Sequence, residues 1–237
     1  MGVIVFNGIS SKDLDIRVAK PPEYQIPERD VSTTLIPGRN GEAILYVGGF
    51  KNVKREYEVS FPADVPFSER AASIARWLFS SSGYSKLYDS YDPDVYRLAF
   101  YRDNVDIESL YQEAGRFNIE FDCRPERFLT SGDFSITFSP NGRLLNPTGM
   151  EAFPLIDVYG TGAGRLAVGD RSIEIVSIPD GKITLDCESE NALYGVENRN
   201  NCISAPNGFP RLGSGETMIS CTGGITKIEI TPRWWSI

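Results

Sequence analysis

Three clusters in this chain carry residue types that can do chemistry. Asp186, Glu188 and Glu190 recur at every second residue, so a continuing strand puts three carboxylates on one face. Carboxylates held roughly 5 to 9 Å apart run glycoside hydrolysis, and grouped carboxylate oxygens also suit calcium. No neighbouring motif adds a second wall or further ligands, so a solvated sheet face is the stronger reading. Gly160-Thr161-Gly162-Ala163-Gly164 has the glycine density of a phosphate cradle. A Walker loop continues with Gly-Lys-Ser/Thr, and a dinucleotide fingerprint puts two residues before its last glycine and then a helix. Here Arg165-Leu166 opens a strand-like run, which favours a tight connection between two strands. Arg233, Trp234 and Trp235 could present rings to a sugar or a cation. A closing strand that packs one ring into the core and the other into a subunit seam accounts for them better.

The chain contains no histidine. That removes the Ser/His/Asp triad, the Cys/His dyad and every imidazole metal ligand. Cys123, Cys187, Cys202 and Cys221 form no CxxC pair, and Cys123 and Cys187 extend alternating apolar runs, so buried free thiols are expected. With 24 basic and 32 acidic residues the net charge is −8, a poor basis for gripping nucleic-acid phosphates. No apolar stretch approaches the roughly 20 residues of a membrane span. The opening MGVIVFNGISS lacks the basic region of a signal peptide, and Phe6 stands where myristoylation wants Ser or Thr. No catalytic, cofactor-binding or metal-ligating residue is assigned, and an enzyme is not expected.

The elements behind these residues are mostly β. Residues 3–6 read as a strand closed by an Asn7-Gly8 turn. Residues 20–42 hold four prolines among polar residues and read as an extended arm. Such a segment cannot satisfy its backbone locally, so it should lie on a neighbouring subunit. Val53, Tyr57, Val59 and Phe61 alternate with Lys54, Glu56 and Glu58. One helix is predicted in SERAASIARWLFSS, with Ser68 as N-cap and a stripe of Ala71, Ile74, Ala75 and Leu78. Phe117, Ile119 and Phe121, then Phe134, Ile136 and Phe138, alternate as strands. Residues 139–149 combine prolines, glycines and asparagines and read as a linker or a long sheet-to-sheet connection. Beyond it, turns at Gly169-Asp170 and Pro179-Asp180-Gly181 separate further strands, and residues 195–216 read as a polar connection. Two antiparallel β units result, 1–138 with the helix and arm, and 148–237.

Seven phrases stand in order along nearly the whole chain: VIVFNG, IPGRNG, ARWLF, YRLAFY, FNIEFDCRP, FPRLGSGETMIS and ITPRWW. Together they resemble the distal tail proteins (Dit) of long-tailed siphophages, encoded by phages and prophages of Gram-positive hosts. The resemblance implies an N-terminal β-sandwich with a helix and an extended arm or hairpin over residues 1–138, of which six copies close into a ring. It implies a galectin-like C-terminal β-sandwich over residues 148–237, outside the ring. The homohexamer would be the hub of the tail tip or baseplate. It would connect the tail tube protein to the tail-associated lysin or tip protein, and to the tape measure and receptor-binding protein. It would let DNA pass without binding it specifically and would touch no membrane. Its place would be the virion tail tip, after assembly in the host bacterial cytoplasm. Arg39 in PGRNG and Arg233 in TPRW match the recurring family pattern. No inserted carbohydrate-binding module is evident, and a galectin-type galactose site relies on histidine, which this chain lacks. A carbohydrate-binding β-sandwich module for host adhesion is the alternative. Six copies carry 6 × −8 = −48 charges, so a neutral or acidic bore is expected.

Overall fold

A computed structural model describes residues 2–62, 66–103, 108–110 and 114–237. The chain is mostly β, with one α-helix and two separate sheet systems. It divides into two compact units, residues 1–127 with Ile237 and residues 128–236.

In the first unit, strands pair antiparallel in the spatial order Ile9–Ser10, Ile4–Phe6, Ser85–Asp89, Val95–Phe100, Ala114–Cys123, Val53–Phe61 and Arg17–Val18. Asn7 and Gly8 both adopt positive φ between the paired residues Phe6 and Ile9, the left-handed two-residue turn that an Asn-Gly pair favours. Asp122 pairs with Phe100 and Cys123 with Ala99 to join the two halves of this path, and Arg124 N–H donates to the Leu98 carbonyl beside them at 2.8 Å. The inward residues of Val53–Phe61 meet those of Ala114–Cys123 in register: Val53 with Cys123, Tyr57 with Ile119, Val59 with Phe117. All six are buried. The Phe6 and Phe121 rings pack tilted, centroids 4.8 Å apart, in the same core.

The helix, Phe67–Leu78, covers this core with a different stripe from the expected one. Arg70, Ile74, Trp77 and Leu78 are buried and Ala75 is exposed. The buried face is turned by roughly 60° from the Ala71–Ile74–Ala75–Leu78 line at about 100° per residue. Trp77 explains the rotation. It carries the largest apolar surface on the helix, and its indole N–H donates to the Phe6 carbonyl oxygen at 3.3 Å. Ser68 is not the cap. The helix begins two residues earlier, at Phe67 after Pro66, with no side-chain cap bond.

The second unit starts earlier than the turn-rich composition suggested. Ile136–Phe138 pairs with Ile228–Ile230, and Asn141–Asn146 pairs with Gly215–Ser220. Of the two readings of residues 139–149, an interdomain linker does not hold, since Asn141–Asn146 is itself a strand of the second unit, and the compact units divide between residues 127 and 128. The polar residues that mimic a linker serve the fold. Buried Asn146 donates to the carbonyls of Met150, Leu212 and Gly213. The Phe134–Ile136–Phe138 alternation does not all face inward: Phe138 enters the core, while Phe134 is 70% exposed. Residues 195–216, expected as a polar connection, send Cys202, Phe209 and Leu212 into the core.

Two long strands, Leu155–Val168 and Gly215–Thr231, form the centre of this unit. The first half of Leu155–Val168 pairs with Lys182–Asp186 and its second half with Arg171–Ile175. Register shifts at Tyr159/Gly160 and Gly160/Gly164 mark the bend. The Gly160–Gly164 run is thus the corner of one strand, not a connection between two. Its glycines let two backbones approach: a Cβ on Gly224 would stand 1.7 Å from the Thr161 carbonyl oxygen, and one on Gly164 2.6 Å from that of Thr222. Gly224→Ala is expected to destabilise the second unit by about 3 kcal/mol through this overlap. Calorimetry on the full chain would show it as a lowered transition for one unit only. An unshifted transition would mean the strands can part at the corner without loss.

Candidate assembly interface

The proline-rich arm resolves into two parts. Residues 19–28 lie along the free edge of Val53–Phe61. Ala19 N–H donates to the Glu58 carbonyl at 2.9 Å, Lys54 N–H to Gln25 Oε1 at 3.0 Å, and Lys51 N–H to the Glu28 carbonyl at 2.9 Å. The edge that would otherwise recruit another chain is covered by the protein's own segment. The second part takes the hairpin form that the family resemblance allowed beside an extended arm: Arg29–Leu35 pairs antiparallel with Glu42–Phe50. Its turn is dictated by IPGRNG. Arg39 N–H donates to the Ile36 carbonyl at 3.2 Å, with Pro37 and the positive-φ Gly38 at the centre, the residues a type II turn prefers. Arg39 therefore stands at the hairpin tip.

Among the described residues no further strand pairs with this hairpin. The register puts Val31 beside Tyr46, Thr33 beside Ile44, and Leu35 beside Glu42 on one face. Leu35 and Ile44 are 74% and 72% exposed. Leu45, on the other face with Ser32, Thr34 and Ala43, is also exposed. A lone two-stranded hairpin is marginal in water, and a contiguous exposed apolar strip marks a surface that meets a partner. Arg29 contributes cation–π contacts at the base, 5.9 Å from the Tyr46 ring and 5.5 Å from the Phe50 ring.

The residues that looked chemical are structural. The strand ends at Asp186, so Glu188 and Glu190 fall in a turn and the three carboxylates do not share a strand face. Asp186 instead accepts from Arg233 Nη1 at 2.7 Å and from Ser189 Oγ at 3.0 Å, with Glu188 3.7 Å from the same guanidinium. Burial works against the Asp186 charge, but these hydrogen bonds outweigh it and hold the carboxyl below its usual range. A lowered folded value adds stability above the unfolded value, and that contribution is lost as pH falls through the folded one. Arg233→Ala should therefore flatten the acid loss of second-unit stability below about pH 4. The effect should be modest, since both groups keep contact with water. Unfolding curves between pH 2 and pH 7 with unchanged steepness would contradict this.

Trp234 is buried in the core of the second unit. Trp235 packs partly against that core and donates its indole N–H to the Glu151 carbonyl at 2.9 Å. The pair is no exposed ring platform. All four cysteines are free and buried, and burial pushes the Cys123 thiol up to about 12. Among the described residues no three His, Cys, Asp or Glu side chains group to hold a metal ion, and no helix is long and apolar enough to cross a membrane.

Sequence reasoning missed a group of charges at the root of the hairpin. Arg55, Asp89 and Arg97 occupy inward positions of their strands, opposite or beside core residues: Arg55 faces Phe121 across the ladder, and Arg97 faces Leu87. Asp89 and Arg97 are 8% and 7% exposed. The available signal was a charge where the two-residue period demands an apolar side chain.

No protein-family model and no curated protein matches this chain. Among solved structures it is similar to the crystal structure of the SPP1 Dit protein (gp 19.1), described as a paradigm of the hub adsorption apparatus in phages that infect Gram-positive bacteria. The TM-score is 0.76 at 11% sequence identity, and the match covers 100% of both chains. The chain has the fold of that protein over its full length.

Proposed function

We propose that this protein is the hub subunit of a siphophage tail tip. Six copies close into a ring that connects the tail tube to the tip or adhesion apparatus and lets DNA pass. The observation that carries this reading is the full-length match to a tail hub, spanning both units. The projecting hairpin adds a physical reason for assembly. An apolar strip offered by one copy and received at a different surface of the next is a heterologous contact, and such contacts close into rings when the rotation permits. In this reading the first unit forms the ring and the second, galectin-like, sits outside it. The partners are the tail tube protein, the tail-associated lysin or tip protein, the tape measure end and a receptor-binding protein. The site of action is the virion tail tip, reached by assembly in the host bacterial cytoplasm.

The sugar-binding alternative loses the feature that prompted it, because Trp234 belongs to the core and Trp235 lies against it. Fold likeness to galectins would not supply a galactose site by itself. Epitope-tagged protein in tails, imaged by electron microscopy, should label the distal end of the tube once per particle. Label along the tube, or at the head-proximal end, would overturn the assignment.

A further inference from the structure

Arg55 is an inward-facing guanidinium with 12% of its side chain exposed, and it bridges core and arm. Its Nη2 donates to Asp89 Oδ2 at 3.2 Å, and its Nη1 donates to the Glu23 carbonyl on the arm at 3.0 Å. Asp89 is fixed in turn: Oδ2 accepts from Tyr57 Oη at 3.0 Å and Oδ1 from Tyr91 N–H at 2.9 Å. A second arginine acts beside it. Arg127 pairs with Asp92, lies 5.2 Å from the Tyr24 ring and donates from Nη1 to Tyr24 Oη at 3.0 Å. Tyr24 roofs a cavity of about 20 Å³ that Arg55, Asp89, Arg97 and Arg127 also line.

Charges at inward strand positions are costly unless they are paired and hydrogen-bonded. Here each arginine meets its carboxylate and donates one further hydrogen bond to the arm, Arg55 to the Glu23 carbonyl and Arg127 to Tyr24 Oη. The hairpin begins five residues later, at Arg29. We propose that Arg55 and Arg127 form a latch that fixes the root of the hairpin to the first unit, making them positioning residues for ring assembly. The latch turns a proline-rich tether into a stiff support. The hairpin then reaches its receiving surface in one orientation, which reduces the ordering cost of each contact. Its assembly consequence rests on the hub reading; the latch itself does not.

The test is hydrogen exchange on the full-length chain carrying Tyr24→Ala and Arg127→Gln together. This variant keeps the Arg55–Asp89–Tyr57 bonds, so the core is not left with an unpaired carboxylate. The amides of Lys51 and Lys54 are the reporters, because their acceptors, the Glu28 carbonyl and Gln25 Oε1, both lie on the arm. Their exchange should rise about tenfold or more, the worth of one charge-assisted bond. The amides of 117–121 should stay unchanged. Tyr24→Phe, which keeps the ring beside Arg127, should fall between variant and wild type. Rings should form less readily in the double variant. Unchanged exchange at Lys51 and Lys54 overturns the latch. Raised exchange with undiminished rings overturns its positioning role. If wild-type protein forms no ring, even with the tail tube and tip proteins added, the hub reading fails and the exchange ratio alone decides the latch.

Discussion

Leu78→Asp should cost the first unit most of its stability, while Ala75→Glu, three residues earlier on the same helix, should be nearly silent. Leu78 is 1% exposed and packs with Ile74, Trp77 and Phe6 in one core. Removing its packing costs about 2–5 kcal/mol, and a carboxylate in its place adds several more unless it is protonated. A domain's whole stability is about 5–15 kcal/mol. Ala75 points to solvent, where substitutions usually stay within about 0.5 kcal/mol. Arg76→Ala belongs with it, since Arg76 is exposed and bonds within its own helix, to the Ala72 carbonyl and to Ser73 Oγ. Calorimetry of the three variants separates the two faces. Equal shifts for Leu78→Asp and Ala75→Glu would mean that the buried stripe is the one the sequence suggested.

The second large effect is on assembly and leaves folding alone. Leu35→Asp combined with Ile44→Asp places two carboxylates on the apolar face of the hairpin. Both side chains are exposed in the single chain, so thermal unfolding should stay within about 0.5 kcal/mol of wild type. Burying each in an interface is worth about 1.5–3 kcal/mol. Losing both should weaken every subunit contact by a hundredfold or more. Sedimentation should then show monomer where wild type shows rings. Intact rings from the double variant would remove the hairpin from the interface.

The strands and turns with strong local chemistry were legible from sequence. Asn7-Gly8, the 53–61 alternation and Phe117–Phe121 were of this kind, because turn geometry and a two-residue period leave few alternatives. The helix stripe was misread by roughly 60°, since small alanines match a stripe as easily as they match solvent, and Trp77 settles the rotation only through a distant strand. Pro, Gly and Asn at 139–149 carry the composition of a linker, yet the same residues form a strand paired with Gly215–Ser220 and supply an inward asparagine. The hairpin of Arg29–Leu35 and Glu42–Phe50 was implied only by the family resemblance and not by periodicity, because neither strand has a buried face in the single chain to impose a pattern. The interface itself was legible only as an arm that needed a partner. The latch was readable in principle at Arg55, a charge standing where Val53 and Tyr57 frame a core position. Its partner Asp89 comes from a strand more than thirty residues away, and spacing alone does not bring the two together.

Light scattering coupled to gel filtration tests the central claim most directly. Full-length protein at micromolar concentration should elute as one species of six times 26.3 kDa, about 158 kDa, and images of that peak should show closed rings. A 26.3 kDa monomer at every concentration, with no ring formed when the tail tube and tip proteins are added, would contradict the hub account.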